Sequence, residues 1–133
     1  IHSFPTRRSS DLVLVLAADD YQPQLSGSIE LLYTPIPDGE LTTRQRRSVE
    51  EVGRHLAKLI RHRKHVLVTC AMGINRSALL AALALRCGGM TAEQAITQLR
   101  IMRGPDLLCN RHFVRIVREF KPERPSYMPG PVT

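Results

Sequence analysis

The chain has 133 residues, is 43% hydrophobic, lacks Trp and carries a formal net charge of +7. That length bounds one domain with a real core, and no run of eighteen apolar residues offers a membrane span. Three cysteines without CxxC spacing favour a reducing, cytoplasmic compartment over a disulfide scaffold, and the scattered positive charge suits acidic partners rather than a dedicated nucleic-acid surface.

Residues 2 to 12, from His2 to Leu12, read as the translation of a sequencing-adapter oligonucleotide. They are set aside from fold reasoning, as a foreign leader would be. Their removal lowers the net charge to about +6. The domain is therefore expected over residues 13–120, with a Pro-rich flexible tail from 121 to 133.

Val13 to Ala18 is wholly apolar and reads as a central strand buried on both faces. Asp19 and Asp20 close it. They form a polar strand end rather than a metal site, because no histidine or further carboxylate joins them. Ile29 to Thr34 is the next strand, and Pro35-Ile36-Pro37-Asp38-Gly39 ends it. Asp38 thus lies on a loop at a strand end, where catalytic residues often sit.

From Thr43 to Arg63 the spacing turns helical. Val49, Val52, Leu56, Leu59 and Ile60 make one apolar face, and Thr42 with Gln45 offers a capping box. The cationic turn His62-Arg63-Lys64-His65 suits a helix C-terminus better than a metal site.

Val66 to Thr69 is a short buried strand, and Cys70 ends it. Gly73 permits a tight loop, and Arg76 and Ser77 lead into an apolar run from Ala78 to Leu85. Strand, loop and helix in this order aim free N–H groups at an anion. The same groups and Arg76 would lower the Cys70 pKa and favour the thiolate. One place therefore binds an oxyanion and holds a nucleophile against it.

The next helix runs from Asn75 to about Cys87, and Gly88-Gly89 stops it. Thr91 and Gln94 cap another, with Ala95, Leu99 and Met102 facing the core, and Gly104-Pro105 ends it. Asn110 caps a last helix, in which Phe113, Val114, Ile116, Val117 and Phe120 point inward. Cys87 and Cys109 are expected in or beside the core, and a regulatory disulfide with Cys70 is the redox alternative. The order predicts a single α/β domain with a central, partly parallel sheet flanked by helices.

The Cys70-to-Ser77 stretch resembles the signature loop of the protein tyrosine phosphatase superfamily, and the small size resembles its dual-specificity branch. The resemblance covers roughly residues 13–120 and implies a phosphotyrosine protein phosphatase-like fold whose opening strand would precede Val13. It implies a phosphate held by the N–H groups of Ala71, Met72, Gly73, Ile74, Asn75 and Arg76, with the Arg76 guanidinium binding two oxygens. Cys70 would attack phosphorus and form a phospho-cysteine. By the same resemblance Asp38 is the general acid and then the base that activates water. Ser77 matches the hydroxyl that helps the thiolate leave. Glu40 is the nearest rival acid, and Asp19 and Asp20 are more distant ones. Neither cofactor nor metal is implied.

One departure concerns the residue before the nucleophile. The family usually has histidine there, and this chain has Thr69, which predicts a weaker or pH-shifted enzyme. The implied substrates are proteins bearing phosphotyrosine, phosphoserine or phosphothreonine, acted on by a monomer. Loop positions 71, 72, 74 and 75 carry no lysine, which disfavours an inositol phospholipid. Competing readings are a phosphate-binding pseudophosphatase, a rhodanese-like sulfurtransferase, an arsenate reductase, or a basic RNA-binding domain. The last would need aromatics interleaved with the arginines, and the chain has only three Phe and three Tyr.

Overall fold

The structure is a computed structural model that describes residues 12–16, 30–69 and 74–122. Three strands form one sheet: β1 (Leu12–Leu16), β2 (Glu30–Tyr33) and β3 (His65–Thr69). Their order is β2-β1-β3, and both pairings are parallel. Val13 pairs with Glu30 on one side and Val66 on the other. The sheet is thus parallel throughout the described residues, where partial parallelism was expected. β1 begins at Leu12, one residue earlier than predicted. β2 ends at Tyr33, two residues ahead of Pro35, which has no N–H for a ladder. Asp19, Asp20 and the predicted tail beyond residue 122 lie outside the described residues.

The described residues also form four helices: α1 (Thr43–Arg61), α2 (Arg76–Cys87), α3 (Ala92–Arg103) and α4 (Arg111–Glu119). Both predicted capping boxes form, Thr42 with Gln45 and Thr91 with Gln94. In each, the threonine oxygen accepts the third N–H while the glutamine oxygen accepts the cap's own N–H. α1 stops two residues before the predicted end. Arg63 takes a left-handed φ of 61°, and the His62, Arg63 and Lys64 N–H groups fold back onto Lys58, Ile60 and Leu59 carbonyls.

α2 is the central helix and packs against α1, α3, α4 and β3. Its apolar run is buried nearly all round, from Ser77 through Leu80 and from Ala82 through Ala84. Phe113, Ile116, Val117 and Phe120 close the core from α4. Two predicted core residues are instead exposed: Ile60 at 53% and Met102 at 69%. Each sits in the last turn of its helix. α3 buries Ile96 in addition to Ala95 and Leu99. Among the described residues no helix is long and apolar enough to cross a membrane.

Parallel pairing has a direct consequence for the site. All three strands end at the same sheet edge, so the segment after β2 starts at the edge where β3 has its C-terminal end. That is where open α/β sheets form their ligand crevices.

Candidate active site

Asp38 lies five residues past the end of β2, exposed on the segment before α1. Both of its carboxylate oxygens accept side-chain amides. Asn75 Nδ2 donates to Oδ2 at 3.0 Å, and Asn110 Nδ2 donates to Oδ1 at 2.9 Å. The same Asn110 amide also reaches the Gly39 carbonyl at 3.3 Å. Three chain segments remote in sequence therefore meet at one carboxylate. Glu40, the rival acid, is exposed two residues further on.

Asn75 occupies the N-cap position of α2 but does not cap it. The residue is buried, at 9% exposure, and its side chain is turned to other work. Besides donating to Asp38, it accepts the Asn110 main-chain N–H at 3.0 Å through Oδ1. Asn110 is the cap that the sequence suggests: its Oδ1 accepts the His112 and Phe113 N–H groups at 2.9 and 3.3 Å. One side chain thus starts α4 with its oxygen and holds Asp38 with its nitrogen.

The loop between α3 and α4 is held against the start of α2. Leu108 N–H donates to the Ile74 carbonyl at 2.8 Å. Leu108 is 1% exposed and has φ 61°, an uncommon backbone conformation for a leucine. The Arg100 guanidinium binds the Leu107 and Leu108 carbonyls at 3.0 and 3.2 Å, which keeps that turn in place.

Arg76 opens α2 half-buried, with Nη1 3.5 Å from the Ile36 carbonyl. Its side chain therefore lies toward the Asp38 loop. Ser77, the next residue, is buried at 2% exposure. Of the residues predicted for the site, Asp38, Ile74, Asn75, Arg76 and Ser77 are brought together around the start of α2. Cys70, Ala71, Met72 and Gly73 lie outside the described residues, between the end of β3 and Ile74.

Two features escaped the sequence reading. Asn110 was visible only as a helix cap, and Asn75 only as a backbone N–H donor. Cys109, expected in or beside the core, is exposed on the α3–α4 loop. Its sulfur lies 3.5 Å from Asn75 Nδ2 and 3.6 Å from Asn75 Oδ1, so it borders the site. Cys87 packs against the core as expected.

The family profile described as dual specificity phosphatase, catalytic domain, matches residues 9–123. No curated protein matches the sequence. Among solved structures, Tk-PTP in its active form is similar with a TM-score of 0.65 and 24% identity, over 84% of this chain and 79% of that one. Human DUSP28 is similar with a TM-score of 0.69 and 20% identity, over 82% and 72% of the two chains. OH1 from the Orf virus, a tyrosine phosphatase, aligns with a TM-score of 0.61 and 21% identity, over 79% and 66%. At such identities these likenesses speak for the fold.

Proposed function

The chain belongs to the dual specificity phosphatase catalytic-domain family, cysteine-dependent phosphatases of phosphorylated proteins, and from that premise we propose that Cys70, Arg76, Asp38 and Ser77 carry the reaction. The Arg76 guanidinium and the N–H groups of residues 71–76 take the phosphate. Cys70 sulfur attacks phosphorus as the ester P–O bond breaks, giving a phospho-cysteine. The Asp38 proton goes to the departing oxygen. Asp38 then takes a proton from water, whose oxygen attacks phosphorus. The S–P bond breaks and releases inorganic phosphate, with the Ser77 hydroxyl stabilising the departing thiolate. Phosphotyrosine, phosphoserine and phosphothreonine proteins are the substrates of this reading, and the cytoplasm is its setting.

The observation that carries the assignment is the meeting of Asp38 with the start of α2. A residue 37 positions before Asn75 is bonded to it at 3.0 Å, next to the arginine that the phosphate needs. The test is hydrolysis of an aryl phosphate in EDTA by wild type, Cys70→Ser and Asp38→Asn. The cysteine change is expected to abolish turnover, and the aspartate change to slow it by about 10²-fold or more. Folded wild type that binds vanadate without turnover would overturn the assignment and point to a phosphate-binding module.

A further inference from the structure

We infer that Asn75 and Asn110 are positioning residues for proton transfer, a pair of amides that fixes where the Asp38 carboxyl stands relative to the phosphate loop. The inference rests on the reading of Asp38 as the general acid and adds what aims it.

Asp38 is exposed and follows Pro37 on a stretch without regular structure. Nothing in such a segment fixes a carboxyl to within the few tenths of an ångström that proton transfer to a leaving oxygen demands. Two contacts from outside the segment do. The Asn75 amide donates to Oδ2 and the Asn110 amide to Oδ1. A carboxyl bonded through both oxygens has lost its rotation about the terminal torsion. Each oxygen keeps a second lone pair, so either remains able to carry the transferred proton.

The two amides are themselves fixed. Asn75 Oδ1 accepts the Asn110 main-chain N–H at 3.0 Å, and Asn110 Oδ1 accepts two N–H groups of α4. Each asparagine thus spends its oxygen on the main chain and its nitrogen on Asp38, which settles the amide orientations. Asn110 further binds the Gly39 carbonyl, holding the loop as well as the side chain. Asn75 directly precedes Arg76. The pair therefore ties the acid to the start of α2, at the residue beside the phosphate-binding arginine.

A positioning role makes a specific demand. Loss of the amides should hurt esters whose leaving oxygen needs the proton, and hurt far less those that leave as stable anions. Phenyl phosphate, with a phenol of tyrosine-like pKa of about 10, is the demanding probe, and p-nitrophenyl phosphate is the undemanding one. The full chain would be compared as wild type, Asn110→Ser, Asn75→Ala and Asp38→Asn. Serine at 110 preserves the helix cap and is too short to reach Asp38. Inhibition by inorganic phosphate and the thermal melt report folding and loop integrity.

The measured quantity is kcat/KM, which covers the steps through phospho-cysteine formation. The expected result is that Asn110→Ser and Asn75→Ala each lose about tenfold or more on phenyl phosphate relative to p-nitrophenyl phosphate, in the same direction as Asp38→Asn. For Asn110→Ser, phosphate inhibition should stay within about threefold of wild type while this happens. Equal losses on both esters by the asparagine variants, with a clear split by Asp38→Asn, would overturn the positioning role and leave the acid assignment standing. Absence of a split in Asp38→Asn itself would overturn both. A purely structural role would lower both esters and phosphate affinity together.

Discussion

Arg86, in the last turn of α2, binds three main-chain carbonyls. Its guanidinium donates to Met90 at 3.1 Å, Val117 at 3.2 Å and Phe120 at 2.6 Å. Charged donors on carbonyls contribute more than neutral ones, and these three bonds are partly buried. Arg86→Met is therefore expected to destabilise by about 3 kcal/mol and to lower the melting temperature by about 10 °C. A melt within about 2 °C of wild type would refute it. The sequence offers only part of this residue: a cation near a helix C-terminus is legible from the Gly88-Gly89 stop. Its partners 31 and 34 positions away are not. The same limit hid the Asp38 amides, which lie 37 and 72 positions from it. Spacing rules reach three or four residues along a helix, and these bonds exist only once the chain is folded.

The helices were the most legible elements, because capping and periodicity are local. Thr42, Thr91 and Asn110 each mark a helix start to the residue. What locality does not reveal is how closely two helices approach. Gly53 is buried on the α1 face that meets α2. A methyl group there would stand 2.6 Å from Leu83 Cβ. Glycine inside a helix costs about 0.5–1 kcal/mol relative to alanine, so alanine ought to stabilise α1. The clash reverses the sign: overpacking of a tight core costs about 1–3 kcal/mol. Gly53→Ala is expected to lower the denaturant midpoint without changing the slope. A raised midpoint would mean that α1 and α2 separate readily, and the close crossing would not be what the glycine serves.

At the scale of the molecule, the element order was legible, while the parallel pairing of every described strand required the assembled sheet. The charge of +7 was legible too, but not where it falls. Neither α1 nor α4 has an acidic residue in its first turn, and exposed Arg44 and Arg111 stand there instead. Cations at helix N-termini oppose the macrodipole at about 0.3–1 kcal/mol each. Both helix starts flank Asp38: α1 begins five residues after it, and α4 begins right after Asn110, which binds it. A cationic rim set against two dipoles fits a substrate that carries more negative charge than its phosphate. Phosphopeptides with acidic flanks should therefore be preferred over basic-flanked ones at about 10 mM salt, where the Debye length is about 30 Å. The preference in kcat/KM should shrink by about tenfold near 0.5 M, where fields across the rim are screened. Arg44→Glu with Arg111→Glu should erase it at low salt while aryl phosphate turnover falls much less. A preference that persists unchanged through the salt series would mean that side-chain pockets, not the field of the rim, select the peptide.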